Sequence, residues 1–480
     1  MAASSSSPII LPIASIQPTF PEVLRDVESG LVPSDRFWVS CYKEDAQSIH
    51  REVQAELDDT DRDLVNLSVV DANRGGETRY SVSCASLGIS NTPIITPAQE
   101  YKDPERSGPQ RPHRITAFDV APDLSQFATG FLDGSVYLYP VNAVPASRDS
   151  SSSNRPSIPS PPDQITIPTK IRRVSKPHLS TITSLKFFPS SRVILTSSAD
   201  FSLSILPADY PVEESTSSTS VRVQAARTLK GHIRSVTSTG IIGRGRNVIS
   251  SSLDSTVRLW DVSSGNVITS LYAHSPVSCL SLGDRVLVPP HGDLEDGDNL
   301  RIEGDDRELP EARAKLVYCG LQNGGIQVFD LGSRNTVHSF KPSSTPTPTT
   351  SAGNITAIAH SESHHLLATA TSRGIVTLYD TRSLGAPLTS FKRNDASIDS
   401  LNFFESDGDP ETDHGRTGLV LGANDGLPYV ANVIPHGPGV QMELIGSDCD
   451  AVRHVVTRRN GERKEIWTAG DDAIVRRYLV

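Results

Sequence analysis

Gly231-His-Ile-Arg-Ser-Val236-Thr-Ser-Thr-Gly-Ile-Ile242-Gly-Arg-Gly-Arg-Asn-Val248-Ile-Ser-Ser-Ser252-Leu-Asp254-Ser-Thr-Val257-Arg-Leu-Trp260-Asp261 is the stretch that decides the fold. It reads as a β-branched strand over Val236 to Ile242, a second over Val248 to Ser252, a turn at Asp254-Ser255-Thr256 and a third strand from Val257 to Trp260. The same order recurs along the chain. Third strands are expected at Val136 to Tyr139, Leu203 to Leu206, Val257 to Trp260, Ile326 to Phe329, Val376 to Tyr379, Leu427 to Val430 and Ile474 to Tyr478. The turns before them fall at Asp133, Asp200, Asp254, Asn323, Arg373, Asp425 and Asp472.

Gly231-His232 at the head of this unit and Trp260-Asp261 at its end resemble the WD repeat, the four-stranded blade of a β-propeller. The expectation is therefore an all-β, seven-bladed WD-repeat propeller over residues 106–480, preceded by a small β-rich N-terminal domain over 1–105. Phe37 to Tyr42 and Ser48 to Leu57 read as strands of that domain. The chain stops at Val480, directly after a third strand, so a strand from the N-terminal part should cover the last blade's open edge. Tyr80 to Cys84 and the run around Ile94-Ile95 are the two candidates.

The 480 residues carry 45 Lys/Arg against 56 Asp/Glu, a net charge of −11. An acidic chain without a basic face does not suit binding through nucleic-acid phosphates, so no nucleic-acid partner is expected. No apolar run is long enough to span a bilayer, which predicts a soluble intracellular protein with no membrane partner. The five cysteines form no CxxC pair and read as buried thiols of a reducing compartment. A bare repeat takes about 40 to 45 residues, and the turns stand farther apart than that. The surplus reads as disordered inserts near 143–176, 289–315, 342–352 and 405–416. The second holds 9 Asp/Glu against 4 Lys/Arg and the fourth 5 against 1, which accounts for most of the net charge.

His232, Ser250, Asp254 and Trp260 stand where WD repeats place a hydrogen-bonded tetrad. The Ser/His/Asp triplet within it could be mistaken for a hydrolase triad, but its spacing is that of the repeat and no GxSxG elbow exists. His360, His364 and His365 read as a solvated turn and not a metal site. Asp293-Leu-Glu-Asp-Gly-Asp298 lacks the ligand pattern of a calcium loop. Neither a metal, a cofactor nor a catalytic residue is expected. Lys170-Ile-Arg-Arg-Val-Ser175-Lys176 is the one basic cluster, and Ser175 is its candidate phosphosite.

Three stretches resemble the proteasomal ATPase-associated factor family, WD-repeat chaperones of proteasome regulatory-particle assembly. They are Gly245 to Asp261, Phe187-Phe-Pro-Ser190 with Val193-Ile-Leu-Thr196, and Glu443-Leu-Ile-Gly-Ser-Asp-Cys-Asp450 followed by Val475-Arg-Arg-Tyr478. Trp38-Val-Ser-Cys41 adds a weaker match. The resemblance implies a monomeric, non-catalytic, cytoplasmic and nuclear chaperone that binds the C-terminal domain of a proteasomal AAA ATPase subunit. Propeller geometry then offers Asp448, Asp450, Asp471, Asp425, Asp395 and Asp133 as acidic partner-binding residues, with Asp448 and Asp450 foremost. A generic WD-repeat adaptor, such as a ubiquitin-ligase substrate receptor or a ribosome-biogenesis scaffold, is the competing reading.

Overall fold

In the computed structural model, residues 7–57, 65–69, 81–108, 111–143, 163–167, 171–209, 221–285, 306–341, 353–406, 416–434, 437–447, 449–461 and 463–480 are described. The expected all-β propeller class holds. Among the described residues, seven sheets each contain a four-strand antiparallel unit, and an eighth sheet stands at the N-terminus. The quoted stretch forms one unit, with strands Val236–Ile242, Asn247–Ser252, Thr256–Asp261 and Asn266–Tyr272 in order from the inside outward.

The innermost strands of the seven units are Ile115–Val120, Ile182–Phe187, Val236–Ile242, Val277–Asp284, Ile355–Ser361, Ile398–Ser406 and Val452–Asn460. Each lies against the next, and the last returns to the first, so the sheets form a closed wheel. We number the blades one to seven in this order. Between every two neighbours lies an apolar layer to which both contribute, such as Leu206 with Ala117 between the first and second blades and Trp467 with Phe127 between the seventh and first. Middle strands are consequently covered on both faces: Asn247–Ser252 and Leu366–Thr371 are buried at every position. That is why their sequences show no polar alternation. Gly320 marks how tight the layers are, since a Cβ there would stand 2.4 Å from Ile355 of the next blade.

A bulge recurs near the start of the innermost strand. The register to the second strand slips between Ile182 and Ser184, Val236 and Ser238, Val277 and Cys279, Ile355 and Ala357, Ile398 and Ser400, and Val452 and His454. The skipped residue turns toward a neighbour. Thr237 donates to the Val277 carbonyl at 2.9 Å and Thr356 to that of Ile398 at 2.5 Å.

The N-terminal part clasps three blades in succession. Ile9–Ile10 pairs in parallel with the outer strand of the fifth blade, and Ile89–Ile95 with that of the sixth. Gln99–Lys102 pairs antiparallel with Ile474–Leu479 and is itself the fourth strand of the seventh blade. Neither Tyr80 to Cys84 nor the Ile94-Ile95 run closes the wheel. Buried polar contacts hold Gln99–Lys102 there instead: Arg476 pairs with Glu100 at 3.1 Å, and Arg477, itself paired with Glu465 at 2.9 Å, donates to the Gln99 side chain at 2.9 Å. Between these clasps, strands Ile13–Ile16, Ser34–Tyr42, Ile49–Leu57 and Val65–Val69 form the separate sheet. Helix Phe20–Glu28, which the sequence reading lacked, lays Phe20, Val23, Leu24 and Val27 on it.

Two inserts expected to be disordered are partly built into the wheel. Within 143–176, Asp163–Thr166 pairs with Gln99–Lys102, and Arg173–Ser175 is the fourth strand of the first blade. Within 289–315, Pro310–Arg313 is a helical turn fixed by Asn247, which accepts from the Leu309 amide at 2.7 Å. The insert near 342–352 lies outside the described residues. Of that near 405–416, strand Ile398–Ser406 takes in the first residues and strand Arg416–Ala423 the last, and residues 407–415 lie outside the described residues. In the sixth blade the third strand is Tyr429–Ile434, displaced from the expected Leu427 to Val430 because Pro428 has no N–H for the ladder. No helix among the described residues is long and apolar enough to cross a membrane. Cys449 is exposed, unlike the buried thiols expected, while Cys41, Cys279 and Cys319 are buried.

Candidate functional site

The loops leading into each innermost strand and the turns between second and third strands meet on one face of the wheel. On the third blade they carry an unbroken polar chain. His232 Nδ1 lies 2.8 Å from Asp254 and its Nε2 2.8 Å from the Ser250 hydroxyl, which accepts the Trp260 indole N–H at 2.8 Å. Burial holds His232 below the usual histidine range. Asp254, although burial alone would raise it, lies below the carboxylate range because Thr256 and His232 bond to it. An ionised carboxylate on Nδ1–H leaves Nε2 as the acceptor of the serine proton. The arrangement is that of a catalytic triad only in composition. Ser250 is fully buried, with the Trp260 indole bonded to its oxygen, so no substrate carbonyl can reach it.

A second copy stands on the second blade, where the sequence reading missed it. His178 lies 3.0 Å from Asp200 and 2.9 Å from Thr196. Its signal was present, because His178, Thr196 and Asp200 have the same mutual spacing as His232, Ser250 and Asp254. Leu206 occupies the place of the tryptophan and hid it. On the first blade Arg106 stands in for the histidine, donating to Tyr137 at 2.6 Å and to Asp133 at 3.3 Å. Its guanidinium lies 4.6 Å from the centres of the Phe131 and Tyr137 rings.

The acidic candidates do not gather into one cluster. Asp133 is a turn residue bonded to Ser135 and Arg106, and Asp425 a turn residue accepting from Asn394 at 2.7 Å and from the Leu427 amide at 3.0 Å. Asp395 is exposed beside Lys392 at 3.3 Å, and that lysine also holds Glu44 at 2.7 Å. Asp450 is exposed in the loop leading into Val452–Asn460, and Asp448 lies outside the described residues. Asp471 accepts from Arg453 at 2.9 Å and from Arg114 at 2.9 Å. Arg453 also binds Asp399, so a chain of four charges, two of them at bulge positions, links the first, seventh and sixth blades. Arg453 and Asp399 were not among the sequence candidates; the bulge that turns them inward is invisible without pairing.

Ser175 is corrected. It is buried at the end of a strand, and its hydroxyl donates to the Val223 carbonyl at 2.6 Å, so it is closed to a kinase as it stands. Of the basic cluster around it, Arg172 is buried against Asp103 at 2.7 Å, Lys176 is exposed, and Lys170 lies outside the described residues. His360 is a strand residue stacked on Tyr318, with ring centres 5.1 Å apart, and not part of a solvated turn.

Comparison with known proteins places the similarity elsewhere than the sequence reading did. The WD domain, G-beta repeat family matches residues 169–205 and 224–261, the second and third blades. The family described as nucleolar protein 10-like, N-terminal domain, matches residues 308–419. A pre-rRNA-processing protein, crb3/ipi3 of Schizosaccharomyces pombe, is 34% identical over 115 residues, which are 22% of this chain and 25% of that protein. The aligned stretch thus spans about a quarter of that relative's length. These findings replace the resemblance to the proteasomal chaperone family, and with it the expected ATPase partner and role in regulatory-particle assembly. They leave the expected absence of a nucleic-acid partner without support. The structure shows why the stretches behind that resemblance misled. Val475-Arg-Arg-Tyr478 holds the closing strand, and Glu443 binds Arg393 and the Ala14 amide; both serve the wheel itself. Of the two compartments expected, the relatives' names speak for the nucleus and not for the cytoplasm.

Proposed function

We propose that this chain is a non-catalytic, nuclear WD-repeat scaffold of pre-rRNA processing, which holds protein components of a ribosome-assembly complex on its propeller. The similarity to the crb3/ipi3 stretch carries the reading, and the nucleolar protein 10-like match points the same way. The architecture suits such a role. A closed wheel keeps its loops in fixed relation, so docking costs little ordering entropy. The triad-like constellations of its second and third blades are buried and used internally. No reaction is assigned to it.

The test is made in cells. Rapid depletion should lead to accumulation of unprocessed pre-rRNA species on a northern blot, and a tagged chain should co-purify ribosome-assembly proteins from nuclear extract. Unchanged pre-rRNA intermediates after depletion would refute the reading.

A further inference from the structure

The face that carries the polar tetrads is not uniform around the wheel. The residue just before the turn is Leu132, Ala199 and Leu253 on the first three blades, but Gln322, Ser372, Asn424 and Asp471 on the other four. The residue after the tetrad histidine is Leu179 on the second blade and Ile233 on the third. Leu132, Leu179 and Ile233 are 56%, 93% and 75% exposed, and nothing among the described residues covers them.

They are neighbours. The Thr181 hydroxyl donates to the Leu132 carbonyl at 3.4 Å, and a Cβ on Gly134 would meet the His178 carbonyl at 2.3 Å, so the first blade's turn presses on the loop that carries Leu179. The Leu179 amide donates to Asp200 at 3.0 Å, which sets Leu179 beside the Asp200-Phe201 turn. That turn faces the third blade's loop as its counterparts face theirs: Gly374 lies against Asn394 and Gly426 against Cys449.

Phe201 supplies a second, independent observation. Its φ is +73°, at the position where the first, fourth, fifth and sixth blades have Gly134, Gly324, Gly374 and Gly426. A bulky side chain in the left-handed region is strained, and glycine would serve the turn without that cost. Its side chain is 45% exposed. Residues held in strain without benefit to the fold point to function.

Among the described residues, the charge around the patch that lacks an ion-pair partner has one sign. Lys176 and Arg234 are exposed on the same loops and Lys230 at the end of the strand that leads into the second of them, and none has a carboxylate partner among the described residues. Of the nearby carboxylates, Asp200 and Asp254 are turned inward on His178 and His232, and Asp133, though exposed, is paired with Arg106. An apolar centre rimmed by free cations complements aliphatic side chains flanked by carboxylates. We infer that this face of the first three blades docks an acidic, aliphatic segment of a partner protein, with Leu179, Phe201 and Ile233 as its anchors. The inference does not depend on the pre-rRNA assignment, which is judged in cells, whereas this surface is judged on purified protein.

The experiment is selection of a displayed random-peptide library on the full chain, followed by fluorescence anisotropy of the recovered peptides against the variants. Recovered peptides should combine Leu, Ile or Phe with Asp or Glu, and their affinity should fall as salt is raised. Leu179→Asp/Ile233→Asp, placed at exposed positions, should keep the circular dichroism of the parent and weaken binding by about tenfold or more. Phe201→Gly should hold or raise the thermal midpoint while weakening binding, a separation that a merely structural Phe201 would not show. Recovery of no peptides, of lysine-rich ones, or of peptides that bind the double variant undiminished would overturn the proposal. So would sedimentation showing that the double variant abolishes a dimer of the chain, or binding of single-stranded oligouridylate that Phe201→Gly removes.

Discussion

Ser250 shows how much one buried hydroxyl can carry. It links the Trp260 indole to His232, so removing it leaves a donor and an acceptor unpaired with no water to replace it. Ser250→Ala should lower the free energy of urea unfolding by about 2–3 kcal/mol; a loss below about 1 kcal/mol would mean that the network is slack. The histidines add a pH dependence. Burial holds His178 and His232 below their ordinary value, and His454 is pushed down to about 4. Above pH of about 6.5 both folded and unfolded imidazoles are neutral. Below it the unfolded chain takes protons that the fold refuses, so stability should fall as pH falls, by at most about 1.4 kcal/mol per pH unit for each group. Thermal midpoints measured from pH 7 down to pH 5 should decline, and less steeply in His178→Asn; a flat profile would contradict this. The tetrad residues were legible because the repeat fixes their spacing. Arg106 was not, because it stands five residues farther from its turn aspartate than a tetrad histidine does and works through the faces of two rings.

Strands differ in how plainly they announce themselves. Third strands such as Val257 to Trp260 follow an Asp turn and are rich in β-branched and aromatic residues, so they could be read directly. Gln99-Glu100-Tyr101-Lys102 could not. It reads as polar, and becomes a buried strand only because Arg476 and Arg477, more than 370 residues away, pair with it. Helix Phe20–Glu28 has apolar residues at Phe20, Val23, Leu24 and Val27, a helical stripe, but over nine residues the period is hard to separate from chance. The pair formed by Arg393 and Glu443 ties elements of the fifth and sixth blades to the N-terminal segment, where Glu443 also accepts from the Ala14 amide at 3.1 Å and Arg393 donates to the Pro12 carbonyl at 3.2 Å. Both side chains are 4% exposed. Glu443→Gln should cost about 3–5 kcal/mol in urea unfolding, because a buried guanidinium loses its counter-charge, whereas Arg393→Met/Glu443→Leu should cost clearly less. Equal losses for the two variants would argue against a desolvated pair.

For the whole molecule, stability rests on closure. Six blades are completed by strands made close to one another in the chain, while the seventh takes its outer strand from the N-terminal part. A chain lacking residues 1–102 would leave a three-stranded blade in which Arg476 has lost Glu100 and Arg477 has lost Gln99. It should appear in the insoluble fraction or elute as large assemblies in gel filtration; a monomer with the parent's thermal midpoint would show the clasp to be dispensable.

This closure also constrains biosynthesis. As the polypeptide leaves the ribosome, Gln99–Lys102 emerges long before Ile474–Leu479, its pairing partner, has been polymerised. Throughout translation the nascent chain can at best be an open arc, with a waiting strand at one end and an unfinished sheet at the other. A premature stop before Ile474 therefore does more than shorten the product. It yields two adhesive ends that cannot meet, and the cell must dispose of them.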